Sequence, residues 1–270
     1  MKIHAGYEIS YACAQSTPMI AMLSVHPSRK TALISPDLMR TEPSIPAKEY
    51  LDGFGNICHV IHAPAGNITL SSDFLIHDSG FPDTVAPDAQ QHSMENLPVD
   101  TLVFLLGSRY CETDRFVQFA WSRFGNHPKG WPLVQSICDY VHQNLQFGYQ
   151  HADPTKTAWQ AHESRRGVCR DFAHLAITLC RCMNIPARYC TGYLGDIGVP
   201  PDPAPMDFSA WFEVFLGDRW YTFDARHNVP RIGRILMAHG RDATDVAIST
   251  SFGPCQLTSF KVLTDEAPAD

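Results

Sequence analysis

The stretch from Gly167 to Ala187 constrains the fold more than any other part of the sequence, because it carries the spacing of an amphipathic helix. Asp171 falls in the predicted first turn, where negative charge stabilises a helix, and Pro186 marks the end. The sequence therefore predicts a helix that begins near residue 169 and buries one face. The apolar residues of that face are Phe172, Leu175, Ala176, Leu179 and Met183.

The predicted start places Cys169 at the amino terminus of this helix. Unpaired backbone N–H groups and the helix dipole stabilise a thiolate at such a position and lower the pKa of the thiol. The same N–H groups are suited to hold an oxyanion. Position alone leaves two interpretations open, a cysteine nucleophile or a buried free cysteine that packs like a small hydrophobic residue.

Composition and charge narrow the class of protein. Hydrophobic residues make up 44% of the 270 residues and charged residues 18%, which favours a packed core over disorder. The net charge of −7 and the absence of a Lys/Arg run argue against a nucleic-acid partner. No apolar run approaches the roughly 18 residues of a membrane helix, and the polar amino terminus lacks the apolar core of a signal peptide. We therefore expect a cytoplasmic protein that does not bind membranes.

The nine cysteines are odd in number, widely spread and without a CxxC pair. Cys180 and Cys182 are two residues apart on the predicted helix and cannot face each other. The pattern indicates neither a disulfide framework nor a zinc site. We therefore expect most cysteines to be reduced core residues, and we expect no metal or other cofactor.

The chain is predicted to have three parts within an α+β fold. Residues 1–85 alternate short strand-type segments with turn signals, which is typical of an antiparallel β-sandwich. Residues 86–125 are a connecting segment that includes a short helix. Residues 126–270 combine helical patterns with later strands, and they form the predicted core of helices packed on an antiparallel sheet.

After Pro186 the hydrophobic period changes from that of a helix to that of a strand. The dipeptide Gly217-Asp218 is a hairpin turn between two strand-type segments. This hairpin places Asp224 at a strand end. The predicted strands are 188–194, 208–216 and 219–224, with 245–248 and 259–263 as further segments at the sheet edge.

Several segments resemble the motifs of one family. Residues 163–173 are similar to the nucleophile motif of the transglutaminase-like superfamily, and residues 184–193 resemble the segment that follows it. Residues 210–214 and 220–224 resemble the two strands that carry the other members of the catalytic triad. The resemblance implies a papain-like α+β core of the kind found in cysteine peptidases and acyl transferases.

The amino-terminal part extends the resemblance over nearly the whole chain. Residues 1–80 are similar to the β-rich domain that often precedes this core in bacterial members, especially at Tyr7 and in residues 52–56. Bacterial members of this type resemble peptidases more than cross-linking enzymes. The resemblance therefore implies hydrolysis or transfer of an amide acyl group through a thioester, with a peptide or small amide as substrate and no cofactor.

The resemblance also implies catalytic roles for individual residues, and it shows one position at which this sequence departs from the family motif. By position, Cys169 corresponds to the nucleophile and Asp224 to the residue that orients the general base. The base of the family is a histidine directly before the Ala-Trp pair, and here that position is Ser209. Imidazole takes the thiol proton and later protonates the leaving group, whereas a serine hydroxyl is not a base near neutral pH.

One interpretation of Ser209 is that another histidine acts as the base. His227 follows Asp224 by three residues, and a turn there would bring it toward Cys169. His151 is a weaker candidate, in the loop before the cysteine. His174 is predicted to lie about 140° around the helix from Cys169 and to face either the core or a second shell of residues around the site.

Two other interpretations remain open. In one, Cys169 reacts as a thiolate held by the helix dipole and by Arg170, without a dedicated base. In the other, the chain has lost hydrolytic chemistry and binds a peptide or another ligand in the inherited cleft. Tyr149 and Trp211 are candidates for contacts with the substrate or with an oxyanion, although both residue types more often serve burial.

Overall fold

The computed structural model describes residues 1–268, and within that range the chain forms fourteen strands and four α-helices. The helices are α1 (Thr113–Phe124), α2 (Trp131–Asn144), α3 (Ala158–Ser164) and α4 (Cys169–Cys182). The first six strands are β1 (Lys2–Cys13), β2 (Thr17–Ala21), β3 (Arg40–Glu42), β4 (Ala47–Leu51), β5 (Ile57–Ala63) and β6 (Gly66–His77). The others are β7 (Gln146–Phe147), β8 (Arg166–Gly167), β9 (Ala187–Tyr193), β10 (Ser209–Leu216), β11 (Arg219–Phe223), β12 (Ile235–Gly240), β13 (Ser249–Ser251) and β14 (Cys255–Glu266).

Two antiparallel four-stranded sheets share one apolar core, and we call them the sheet pair. Their strand orders are β14-β1-β6-β3 and β13-β2-β5-β4. Strand β6 shows the period of two that produces such a core, because Ile68, Leu70 and Ile76 are fully buried whereas Asp73 and His77 are exposed. The predicted β-rich amino-terminal region and the α+β class are confirmed.

The sheet pair also takes two strands from the other end of the chain. Strand β14 pairs with β1 from Glu266 opposite Ile3 to Cys255 opposite Cys13, and β13 pairs with β2. The sequence assigned all of 126–270 to the helical core, and this pairing corrects the assignment for β13 and β14. Pairing between strands so far apart in the sequence leaves no local pattern, which is why the boundary was misplaced.

A disulfide joins Cys13 to Cys255 at the end of this β1–β14 ladder, across 242 residues of sequence. The expectation of no disulfide was therefore wrong for this pair, because no spacing rule reveals a contact made by distant strands. The other seven cysteines are free, and all of them except Cys169 are buried. The cytoplasmic location stays a prediction from the sequence.

The core consists of the four helices on one antiparallel sheet of strand order β11-β10-β9-β12. Helix α4 is the central element, and every residue from Asp171 to Cys182 is buried. Strand β10 turns Ala210, Phe212 and Val214 toward the helices, as its alternation requires. The hydrophobic periods of α4 and β10 therefore fix the contact between the helix and the sheet.

The β10–β11 hairpin fixes the end of β11. Its turn residues Gly217 and Asp218 both have positive φ, at 51° and 66°, which matches the twist of the two strands. Strand β11 then ends at Phe223, directly before Asp224. The sequence prediction of this hairpin is confirmed, and it delivers Asp224 to the edge where α4 begins.

Candidate active site

Cys169 is the first residue of α4 and lies partly buried at the amino end of that helix, where the spacing predicted it. The Asp171 carboxylate accepts the backbone N–H of Val168 at 3.0 Å and closes the first turn. The backbone N–H of Ala210, on β10, acts on the Cys169 thiol and lowers its pKa. The sulfur therefore lies where the start of α4 meets the start of β10.

Burial raises the pKa of the Cys169 thiol to about 11. The guanidinium of Arg226 acts in the opposite direction, whereas the carboxylates of Asp207 and Asp224 raise this pKa further. The expectation of a thiolate stabilised at the helix start was therefore wrong for the resting protein. Removal of water from the charged form outweighs the favourable groups, and Cys169 rests as a neutral thiol at pH 7.

Arg170 does not serve the thiolate as the sequence suggested. Its guanidinium lies 3.3 Å from the Asp171 carboxylate and also donates to the backbone carbonyl of Asp153. The neighbour that lowers the pKa of Cys169 is instead Arg226, whose guanidinium stacks on the ring of Phe147 at 3.7 Å from its centroid.

A turn after β11 holds His227 against Asp224. The Oδ1 atom of Asp224 accepts the backbone N–H groups of Arg226 and His227, each at 3.0 Å. The Nδ1–H of His227 donates to the Oδ2 atom of Asp224 at 2.8 Å. Because Nδ1 carries this hydrogen bond, Nε2 is the ring nitrogen left to exchange a proton.

Arg234 binds the same carboxylate from the other side. Its Nη2 donates to Oδ2 of Asp224 at 2.9 Å, and its Nε donates to both oxygens of Asp83 at 2.9 and 3.2 Å. Although burial raises the pKa of Asp224, Arg234 and the hydrogen bond from His227 together hold it well below the usual range. Asp224 is therefore ionised at every pH at which the protein is expected to work.

His227 and Arg226 line a small polar cavity of about 70 Å³, which we call the site cavity. Asp207, Arg226 and Tyr149, which line it, interact electrostatically with the Cys169 thiol. His227 and Ser209 line the same cavity. The fold therefore brings His227 into one small space with the charged neighbours of the candidate nucleophile.

Residues 122–225 match the model of the transglutaminase-like superfamily, a range that contains both Cys169 and Asp224. Over the whole chain, the structure is similar to that of a candidate cysteine protease from Cytophaga hutchinsonii, with a TM-score of 0.86 and 28% identity. The alignment covers 100% of this chain and 92% of that one. Residues 122–225 therefore form a transglutaminase-like core.

Two curated relatives extend the likeness without adding an activity. An uncharacterized protein of Mycobacterium leprae is 24% identical over 226 residues, which cover 82% of this chain and 80% of the relative. An uncharacterized protein of Mycobacterium tuberculosis (strain H37Rv) is 29% identical over 217 residues, which cover 72% and 68% of the two chains. The transglutaminase-like core and the sheet pair together therefore form an arrangement that recurs in other proteins.

Ser209 is the residue for which the sequence resemblance predicts the position of a histidine base. It is the first residue of β10, is 8% exposed and pairs with Gly192 of β9. Its backbone carbonyl accepts the hydroxyl of Thr191 at 3.2 Å. The strand therefore supports a side chain at the edge of the site cavity, but a hydroxyl at this position supplies no base.

Tyr149 and Trp211, the two aromatic candidates for contacts with a substrate or an oxyanion, lie in different places. Tyr149 is 42% exposed, lines the site cavity and has a pKa raised by burial, so its hydroxyl keeps its proton. Trp211 is only 2% exposed and packs against the guanidinium of Arg234, whose Cζ lies 5.0 Å from the ring centroid. Tyr149 thus lies at the site cavity, whereas Trp211 packs on Arg234.

His174 faces the core, which is one of the two alternatives that the helix geometry left open. It is fully buried, stacks on Tyr110 and accepts the backbone N–H of Ala243 at 3.1 Å. Burial lowers its pKa to about 3, so it stays neutral. His151 lies in a 3-10 turn, where its ring contacts the side chain of Gln150.

Sequence reasoning did not identify four charged residues as part of the site, namely Arg226, Asp207, Arg234 and Asp83. Arg226 sits between Asp224 and His227 in the sequence, and that adjacency was the available signal. Asp207, Arg234 and Asp83 come from separate segments, and no periodic pattern connects them.

Among residues 1–268, no cluster of three or more His, Cys, Asp and Glu side chains is arranged to hold a metal ion. No helix in the same range is long and apolar enough to cross a bilayer.

Proposed function

We propose that this transglutaminase-like protein performs cysteine-dependent acyl chemistry on amides, with Cys169 as nucleophile, His227 as base and Asp224 as the residue that orients the base. The observation that carries the proposal is the 2.8 Å hydrogen bond between His227 and Asp224 beside the start of α4. The likeness to the Cytophaga hutchinsonii candidate cysteine protease supports cysteine-based amide chemistry in general. In this proposal His227, which follows the second strand of the β10–β11 hairpin, takes the role of the histidine that is missing at position 209.

The reaction begins from a neutral thiol. His227 Nε2 takes the proton of Cys169 as the sulfur attacks the carbonyl carbon, and the imidazolium then gives that proton to the amide nitrogen. The C–N bond breaks, the amine leaves and a thioester remains on the sulfur. Water, deprotonated by His227, attacks the thioester carbon, releases the carboxylic acid and regenerates the thiol. An amine in place of water gives acyl transfer.

Two groups are placed to stabilise the oxyanion. The first turn of α4 leaves backbone N–H groups without helical partners, among them that of Cys169. The hydroxyl of Tyr149 remains protonated, because burial raises its pKa. Tyr149 lines the site cavity, and each oxyanion donor typically contributes about 3 kcal/mol to transition-state stabilisation.

A second candidate function is that of a binding module without catalysis. The observations that favour it are Ser209 at the histidine position and the raised pKa of the Cys169 thiol. In this reading the site cavity holds a peptide or another ligand, and Cys169 is a wall residue. A peptide or a small amide is the proposed partner in either case.

The test is a panel of fluorogenic peptide amides and small amides, read with the wild-type protein and with Cys169→Ala. We expect turnover that disappears in Cys169→Ala, together with a mass shift of the intact protein on rapid quenching that identifies the thioester. Ser209→His separates the two candidates. Turnover that appears only after Ser209→His would show that the wild-type chain is a degenerate enzyme, and it would support the binding module.

A further inference from the structure

We propose that Asp83 is a positioning residue for the catalytic carboxylate: through Arg234 it holds Asp224 against His227 and keeps the Asp224 charge only partly neutralised. The inference rests on the proposed function, because it assigns a task to the base. Asp83 lies in the extended segment after β6, far in sequence from the core. It is joined to the site by hydrogen bonds alone.

Asp83 is fixed on both sides by the segment before β12. Its backbone N–H donates to the carbonyl of Arg231 at 2.9 Å, and its Oδ2 accepts the backbone N–H of Arg231 at 2.9 Å. The same carboxylate accepts the Nε–H of Arg234 at both oxygens. The side chain of Asp83 is 15% exposed. Its position is therefore set by the backbone and not by a flexible surface contact.

Arg234 carries the connection onward to the catalytic carboxylate. Its side chain is 7% exposed, and the planar guanidinium presents Nε to Asp83 and Nη2 to Asp224. The ring of Trp211 packs against this guanidinium. A rigid fork of this kind suits two carboxylates at once, which a lysine ammonium on a flexible stem does not reproduce.

Because Asp83 and Asp224 share the guanidinium of Arg234, the charge of Asp224 is only partly neutralised. Arg234 and His227 both donate to Oδ2 of Asp224, so a guanidinium devoted to Asp224 alone would cancel its charge. Asp83 divides the charge of Arg234 between two carboxylates. The trio Asp83, Arg234 and Asp224 thus keeps a net charge of about −1, which stabilises the imidazolium that forms during catalysis.

Other charged and titratable groups act on the pair of Asp224 and His227 from the surrounding elements. His142 of α2 bonds to the backbone carbonyl of Arg226, and Asp139 of α2 binds the side chain of Asn228. Neither of these contacts includes Asp83. The further groups that face the pair or line the adjoining cavities are Cys138, Tyr149, Cys169, Asp196, Asp202, Asp207 and Arg231.

The competing explanation is that Asp83 only ties the connecting segment to the core. A structural tie affects the free energy of unfolding but leaves the protonation of His227 unchanged in the folded protein. The test therefore measures the pKa of His227 directly, by NMR titration of histidine-labelled protein. It uses wild-type chain, Asp83→Asn and a matched control, Asp78→Asn. Asp78 pairs with Arg29 at 3.4 Å and has no bond to Arg234 or Asp224 among those of residues 1–268.

In Asp83→Asn we expect the pKa of His227 to fall by roughly half a unit to one unit, because Arg234 then neutralises Asp224 more fully. Asp78→Asn should leave this pKa unchanged, and Asp83→Glu should keep it close to the wild-type value. If Asp83→Asn does not fold, Asp83→Ser provides the same loss of charge. An unchanged His227 pKa in a folded, charge-deleted variant would overturn the proposal.

The readout separates this inference from the proposed function. If the protein hydrolyses no amide, the NMR titration still reports whether Asp83 acts on His227. If the protein is active, the acid limb of kcat/KM should move down in Asp83→Asn by the same amount as the NMR value. Activity with an unmoved acid limb would count against Asp83 and leave the nucleophile and base assignments untouched.

Discussion

His227 and Arg234 meet at one oxygen atom, because both donate a hydrogen bond to Oδ2 of Asp224, at 2.8 and 2.9 Å. Asp224 is thereby ionised, and His227 is held with Nε2 free. The pairing gives this transglutaminase-like core an Asp–His unit.

Replacement of His227 by Gln should lower kcat/KM for any amide substrate by roughly 10² to 10⁴ fold, since this is the usual contribution of a general base. The fold should survive, because the ring is partly exposed at 22%. Steady-state kinetics and urea unfolding are the measurements. His151→Gln is the matched control, and a comparable loss of activity there would contradict the assignment of His227.

Alkylation of Cys169 by iodoacetamide should become faster by about tenfold per pH unit between pH 7 and 10, because the thiol pKa is raised to about 11 and the thiolate is the reacting species. Peptide mass spectrometry identifies the labelled cysteine. A rate that is already at its plateau at pH 7 would indicate a thiolate–imidazolium ion pair, and the neutral resting pair would be wrong.

Stability should decrease as the pH falls below about 6.5, because two buried histidines resist protonation. Burial lowers the pKa of His174 and of His239 to about 3 in the folded protein, below the value of about 6.5 in the unfolded chain. Between these values the unfolded state binds more protons. Each histidine therefore removes about 1.4 kcal/mol per pH unit from the free energy of unfolding in this window.

Urea unfolding at pH 7.5 and pH 5.5 measures this effect. His239→Gln should reduce the difference between the two free energies by about 1 kcal/mol, since it deletes one of the titrating groups. His62→Gln is the control, because His62 is an exposed histidine on β5. A pH dependence that is the same in His239→Gln as in the wild-type chain would contradict the linkage.

Loss of the Cys13–Cys255 disulfide should lower the free energy of unfolding by about 2 to 5 kcal/mol, because the bond closes a loop across 242 residues and restricts the unfolded chain. Urea unfolding of Cys13→Ser with and without a reductant measures the change. In the wild-type chain the reductant should reproduce the loss. An unaffected midpoint in both experiments would mean that the two thiols do not pair in solution.

Local sequence patterns were sufficient to predict the helix and the hairpin that position Cys169 and Asp224. The 3.6-residue period of α4 and the Gly217-Asp218 turn located Cys169 and Asp224, since both signals lie within a few residues of the element they define. The disulfide and the β1–β14 ladder were not predictable in the same way. They are set by tertiary packing between the two ends of the chain.

The electrostatics of the site could not be read from the sequence either. The position of Cys169 at a helix start was correct, yet its pKa is set by how much water the surrounding side chains exclude. The connection from Asp83 to Asp224 depends on one buried guanidinium that reaches two segments. His227 was within reach of sequence reasoning because a single turn relates it to Asp224, and the turn is local.

Strand β1 has β6 on one side and β14 on the other, so its second neighbour is synthesised only after the transglutaminase-like core. A nascent chain of about 250 residues would therefore expose an unpaired strand edge next to a core that is already made. Such an edge is a template for pairing with a second copy. Folding during synthesis thus has to protect β1 until the final strand leaves the ribosome.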